Sequence, residues 1–302
     1  MNADQNPALD RIQELVASFD GVAGVAARDF DTGEEILFNA DTIFPTASTF
    51  KTVLLYELFR QVDQGIIDPA ARITFEDRHR VPGSGVLQDL DAGASLTVKD
   101  IATLMIVVSD NAGTDIIYDL IGRAPVAATI ERLGMSQTHL PLGCWGILAG
   151  LQNLDPDDPS LTYVELKRRL AETESPWDSN ALKETPDNDI STPNDLLHLV
   201  ETIHKGEGLS TAARDAVIDI LLRQKSDERI PALLPFGVKV AHKTGSVKGV
   251  RNDIGIVYAG DHTYGIALMS KRAESGVEAT QLVAKLSKIV YDAFVGSDSV
   301  TP

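Results

Sequence analysis

The sequence predicts an α+β fold. An antiparallel sheet is assembled from both chain ends and flanked by the terminal helices, with an all-helical lobe inserted between. Three observations predict it. Segments rich in valine, isoleucine and alanine and bounded by turn residues occur only near the two ends. Apolar residues at helical spacing fill the middle. The outermost periodic segments are amphipathic helices, suited to cover one face of a sheet. The 302 residues, 43% hydrophobic and 24% charged, can bury a substantial core.

In chain order, Leu9, Ile12, Leu15, Val16 and Phe19 mark a first helix over 7–19. Strands follow at 21–30 and 35–39, joined by Asp31-Thr32-Gly33 as a hairpin. An apolar run without a breaker before Gly65 predicts one buried helix over 48–63. Val81-Pro82-Gly83-Ser84-Gly85 is a glycine-rich turn; it lacks the lysine and preceding strand of a phosphate loop. Thr97 and Asp100 form a capping box opening a helix over 98–108. Ser109-Asp110-Asn111 interrupts it, and helices over 114–121 and 124–133 end at Gly122 and Gly134. Five prolines between 143 and 193 forbid one continuous helix there; a short helix over 163–173, capped by Thr162, is expected within ordered loop. Helices over 194–204 and 211–224 precede strands at 238–242, 253–259 and 263–270. A helix over 277–294 closes the chain. The expected organisation is one catalytic unit, 1–302. Its α/β lobe is 1–46 with 225–302, and its helical lobe is 47–224, including the Pro/Asp-rich stretch 143–193.

Composition narrows the function. With 44 acidic and 27 basic residues the formal net charge is −17, which repels nucleic acid and anionic membrane surfaces. A solubility surface is the plain reading of that charge, and salt adaptation a second. One cysteine, Cys144, excludes an internal disulfide and reads as a small core residue. The six histidines form no zinc-type pair, so neither a metal nor a cofactor is expected. The longest apolar run, 101–108, is too short to span a membrane. Residues 1–5 are polar, without the basic-then-apolar pattern of a secretion leader. As written the chain reads as cytoplasmic, and as periplasmic or secreted if a leader has been trimmed.

Three short polar motifs carry the chemistry. The first is Ser48-Thr49-Phe50-Lys51 at the start of a buried helix. Residues three apart share a helix face, so the amine of Lys51 lies beside the hydroxyl of Ser48. A serine hydroxyl is a weak nucleophile until a base takes its proton, and a lysine can do so once burial or a nearby cation keeps it neutral. The second is Ser109-Asp110-Asn111, between helices. The third is Lys243-Thr244-Gly245, on a strand after the helical lobe.

In this order the trio is the signature of class A β-lactamases and penicillin-binding proteins. The chain resembles the penicillin-recognising serine hydrolases, and within them class A β-lactamases. Pro45, Phe50 and His242-Lys243-Thr244-Gly245-Ser246, followed by Gly249-Val250-Arg251-Asn252-Asp253, extend the match. It covers roughly residues 8–295 apart from 143–193. The resemblance implies a β-lactamase/transpeptidase-like fold and a β-lactam or related acyl substrate, opened through an acyl-serine on Ser48. It implies that Lys51 takes or relays the proton and that Ser109 passes one to the leaving nitrogen. Asn111 would hold the substrate amide, and Lys243, Thr244 and Arg251 its carboxylate. Gly245 would admit close backbone approach, and the N–H groups of Ser48 and Ser246 would form an oxyanion hole. Asp110 would be structural.

One expected element is missing. The family's deacylating glutamate lies in a Glu-x-x-Leu-Asn pattern ahead of a Thr-Pro pair. Thr192-Pro193 is present, but no such pattern precedes it. Glu172, Glu174 and Glu184 are candidates by location only. Without that base a β-lactam would acylate Ser48 and stay, as in a penicillin-binding D-peptidase, an esterase or a non-hydrolysing β-lactam-binding domain.

Overall fold

Strands from the two chain ends pair into one five-stranded antiparallel sheet. The computed structural model describes residues 7–296; the leader reading at residues 1–5 lies outside the described residues. Helix α1 (Pro7–Ala17) leads into the hairpin β1 (Val22–Asp29) and β2 (Glu35–Phe38), then the short β3 (Phe44–Pro45). Next come α2 (Lys51–Asp63), the ribbon β4 (Arg72–Thr74) and β5 (Ser95–Thr97), α3 (Val98–Val107), α4 (Asn111–Ile121) and α5 (Arg123–Arg132). Helices α6 (Cys144–Leu151) and α7 (Tyr163–Glu172) follow, then β6 (Ile190–Ser191), α8 (Pro193–Lys205) and α9 (Thr211–Leu222). The chain ends with β7 (Lys239–Val247), β8 (Val250–Ala259), β9 (His262–Lys271) and α10 (Gly276–Phe294).

The sheet order is β2-β1-β9-β8-β7. Pairing of β1 with β9, with Val25 opposite Leu268, is what closes the two ends together. Period-2 alternation then sorts side chains to two faces. Ala23, Val25 and Ala27 of β1 and Ile266 and Leu268 of β9 face α1 and α10, where Ile12, Leu286 and Val290 complete a separate core. Ala26, Ala267 and Met269 face the other way, into a larger core shared with α8 and the helices of the middle region. Both faces are covered, so β1 reads as a run of small apolar residues without polar alternation.

Three expectations differ in detail. The helix over 48–63 is split: Ala47–Phe50 form a 3₁₀ turn, and α2 begins at Lys51. The stretch 143–193 holds more structure than one helix in loop. Helix α6, with Gly146 and Gly150 inside it, is a poor helix former that packing stabilises. Strand β6 pairs with β3, Ile190 opposite Pro45, and ties that stretch to the segment before Ser48. Strand β7 runs beyond 242 through Lys243-Thr244-Gly245 to Val247 and forms the sheet's edge. Among the described residues no helix is long and apolar enough to cross a membrane.

Candidate active site

A cavity of about 320 Å³ lies where the edge strand β7 meets the 3₁₀ turn, the α3–α4 junction and α6. Ser48, Ser109, Asn111, Thr244 and Ser246 line it, with Cys144, Ile147 and Leu148 from α6 and Ser226, Glu228 and Arg229 from the loop before β7.

Ser48 is the second residue of the 3₁₀ turn. Residues three apart eclipse in such a turn, which sets Ser48 and Lys51 on one side. The preceding Ala47 has φ +46°, a left-handed conformation that costs an alanine about 1–2 kcal/mol. The surroundings hold that strain. Asn252, buried in the middle of β8, donates from Nδ2 to the carbonyls of Pro45 at 2.9 Å and Thr46 at 3.1 Å. The Thr46 amide donates to the carbonyl of Asp189 at 2.9 Å. Gly245 sits directly opposite: a Cβ there would stand 2.7 Å from the Thr46 carbonyl and 3.0 Å from the Ser48 amide nitrogen. A side chain at 245 would therefore push the edge strand off the serine.

The two lysines converge on Ser109. Lys51 Nζ donates to Ser109 Oγ at 3.1 Å, to the Ser109 carbonyl at 2.7 Å and to Asn111 Oδ1 at 2.9 Å. Lys243 Nζ donates to Ser109 Oγ at 3.0 Å and to the Thr244 carbonyl at 2.7 Å. Both side chains are fully buried. Burial pushes the Lys51 amine below the ordinary lysine range, opposed by Cys144, Asp115 and Asp110. Lys243 is driven well below it by burial and then by the charge of Lys51, because two adjacent buried ammonium groups repel.

Ser109 takes φ +54°, turning the chain between α3 and α4 so that its side chain and carbonyl both meet Lys51. Asp110 points away from the cavity, accepting from the amides of Val86 at 2.6 Å, Leu87 at 2.8 Å and Gly113 at 2.8 Å. It thereby caps α4 and pins the glycine-rich turn. Asn111 Nδ2 donates to the Pro82 carbonyl at 2.9 Å, and its Oδ1 also accepts from Ser84 Oγ at 3.2 Å.

Arg251 is not brought into the cavity. Its guanidinium donates to the carbonyls of Val247 at 2.8 Å and Val250 at 2.7 Å, bracing the β7–β8 hairpin. Arg229 stands at the cavity in its place. It is 3% exposed and donates to the carbonyls of Gly245 at 2.9 Å and Asn252 at 2.6 Å, while its other nitrogen reaches Ser246 Oγ. Sequence reasoning missed Arg229, which sits in a polar loop without periodicity. It missed the role of Asn252 as well, because the expected strand began at 253 and left Asn252 outside it, whereas β8 begins at Val250.

None of the three glutamates proposed by location lines the cavity. Glu172 pairs with Arg168 at 2.6 Å, Glu174 with Lys248 at 2.6 Å, and Glu184 with Lys271 and Arg272, each at 2.7 Å. The region 143–193 contributes Cys144, Ile147 and Leu148 to the lining instead. Burial raises the Cys144 thiol to about 12, so it stays protonated against Lys51.

The sequence profile of the Beta-lactamase enzyme family matches residues 7–294. The chain belongs to that family. Beta-lactamase SME-1 of Serratia marcescens is 24% identical over 292 residues, spanning 95% of this chain and 88% of its own length. A beta-lactamase from Sphaerobacter thermophilus superposes with a TM-score of 0.79 at 26% identity, covering 95% of this chain and 96% of its own. A variant of PBP-A, described as its acyl-enzyme complex with penicillin G, superposes at 0.77 with 28% identity and covers 95% and 96%. The mixed antiparallel architecture is thus the β-lactamase fold, and the chain is a class A β-lactamase-like serine hydrolase by family.

Proposed function

We propose that this protein opens β-lactam amides through an acyl-serine on Ser48. The observation that carries the proposal is Ser109 Oγ held between two buried lysines, 3.1 Å from Lys51 and 3.0 Å from Lys243, in the cavity that Ser48 lines. In its unprotonated form Lys51 takes the Ser48 proton as the serine oxygen bonds to the lactam carbonyl carbon. The carbon–nitrogen bond then breaks, and Ser109 gives its proton to the leaving nitrogen, refilled from the lysines. The N–H groups of Ser48 and Ser246 stabilise the developing oxyanion. Thr244, Ser246 and Arg229 hold the substrate carboxylate, and Asn111 the side-chain amide.

A second reading concerns the fate of the acyl-enzyme. The apolar wall of Cys144, Ile147 and Leu148 offers no carboxylate to activate a water, which favours fast acylation and slow deacylation. Intact-protein mass spectrometry over time with penicillin G, on the wild type and Ser48→Ala, tests both. A persistent adduct on wild type alone supports the second reading; Cys144→Glu would then shorten the adduct's life. Rapid antibiotic loss with little lasting adduct supports a true β-lactamase. No adduct and no hydrolysis would sink the acyl-serine reading for β-lactams and leave D-peptides and simple esters as substrates to assay.

A further inference from the structure

The polar end of the cavity carries a charge that acylation chemistry does not use. Among the described residues, Glu228 is the one acidic residue lining the cavity. Its neighbour Arg229 is 3.6 Å away, yet the side chain of Glu228 is 48% exposed while that of Arg229 is only 4% exposed. Arg229 is committed to the carbonyls of Gly245 and Asn252 and to Ser246 Oγ. Arg251 also feels Glu228, but its Nη1 is bonded to the β7–β8 hairpin carbonyls and its side chain does not line the cavity. Lys243 is turned to Ser109 Oγ and the Thr244 carbonyl and does not line the cavity. Once a substrate carboxylate sits on Arg229, Thr244 and Ser246, the charged side chain of the cavity lining left without its counter-charge is Glu228.

We propose that Glu228 makes the site charge-selective. It favours acyl substrates that carry a cationic group on the atom next to their anchoring carboxylate and disfavours neutral or anionic groups there. Glu228 is the chain neighbour of Arg229, which takes the carboxylate, so the selection acts on the leaving-group side and not on the acyl side chain. The inference rests on the acyl-serine reading above. A half-exposed carboxylate within several ångströms of a bound cation is worth about a three- to tenfold preference at low salt.

The test uses two cephem substrates with the same thienylacetyl side chain. One carries a neutral acetoxymethyl group beside the ring carboxylate and the other a cationic pyridiniummethyl group (cephalothin and cephaloridine). Second-order acylation rates are measured for wild type, Glu228→Gln and Glu228→Lys. Comparing the cation-to-neutral ratio between proteins cancels the intrinsic reactivity of the two compounds. The ratio in wild type should exceed that in Glu228→Gln by about three- to tenfold, fall further in Glu228→Lys, and converge as salt screens the charge. Equal ratios in all three proteins, with a Ser48 adduct still forming, overturn this inference alone. No Ser48 adduct from either cephem on wild type overturns it together with the acyl-serine reading.

Discussion

Lys51 and Lys243 are both buried, both within hydrogen-bond reach of one hydroxyl, and both held below the ordinary lysine range by burial. A base works only in its unprotonated form. The acylation rate of Ser48 should therefore rise with pH as Lys51 loses its proton and level off below the pH at which a free lysine titrates, about 10.4. Lys51→Arg keeps the charge and removes the base, since a guanidinium does not deprotonate. It should lower the acylation rate by about two to four orders of magnitude at neutral pH, read by adduct formation over time. Retention of most of the rate would exclude Lys51 as the proton acceptor. The residue types of this site were readable from three motifs, because hydroxyl and amine side chains leave short polar interruptions in apolar helices and strands. Arg229 was not: its function depends on where a loop of no local pattern happens to return.

Among the elements, the edge strand β7 and the 3₁₀ turn form one device, and Gly245 sets their separation. Gly245→Ala adds a Cβ that would sit 2.7 Å from the Thr46 carbonyl, against backbone that Asn252 already clamps. The expected result is a loss of about 1–3 kcal/mol of stability and at least a hundredfold loss of acylation, checked by chemical unfolding and adduct kinetics. Unchanged acylation would mean that the strand can move away without cost.

The segment leading to α8 holds a second device. Asp189 is buried; its Oδ1 accepts from the Leu142 amide at 2.8 Å, and its Oδ2 has no partner. Burial raises its carboxyl well above the ordinary range, so the folded protein holds a proton that the unfolded chain releases. Asp115, which accepts from the amides of Cys144 at 2.6 Å and Trp145 at 2.9 Å, is raised to about 6 for the same reason. With more protons bound folded than unfolded, stability falls as pH climbs from about 4 through the folded values. Asp189→Asn removes its own contribution and leaves those of Asp115 and of Asp195, which burial also raises. Unfolding in urea at about pH 5 and about pH 8 should show a smaller pH dependence than wild type and higher stability at the upper pH. An unchanged slope would mean that Asp189 is ionised in the fold.

At the scale of the molecule, the formal charge of −17 acts on the fold as a whole. Exposed Arg/Lys–Asp/Glu pairs such as Arg168 with Glu165 and Glu172 offset little of it, since surface pairs are solvated and screened. Screening should therefore raise the melting temperature between about 0.01 M and 0.5 M salt, where the Debye length shrinks from about 30 Å to a few ångströms. A flat or falling melting temperature in a salt titration would show that the acidic surface is already locally compensated.

The sequence by itself determined the antiparallel sheet from both chain ends, the helical middle, and the identity of the serines and lysines that meet in the cavity. These follow from local rules: periodicity, caps and turns report elements, and reactive side chains stand out where apolar pattern breaks. The tertiary structure alone decided what surrounds them. It split the predicted helix at Lys51, because Asn252 and Gly245 hold the preceding turn in a strained conformation. It turned Arg251 into a hairpin brace and put Arg229 in the cavity. It built α6 out of a glycine-containing run and set Cys144, Ile147 and Leu148 in the cavity lining, while tying Glu172, Glu174 and Glu184 to Arg168, Lys248, Lys271 and Arg272. Those outcomes depend on contacts between residues far apart in the chain, whose energies no local window of sequence contains.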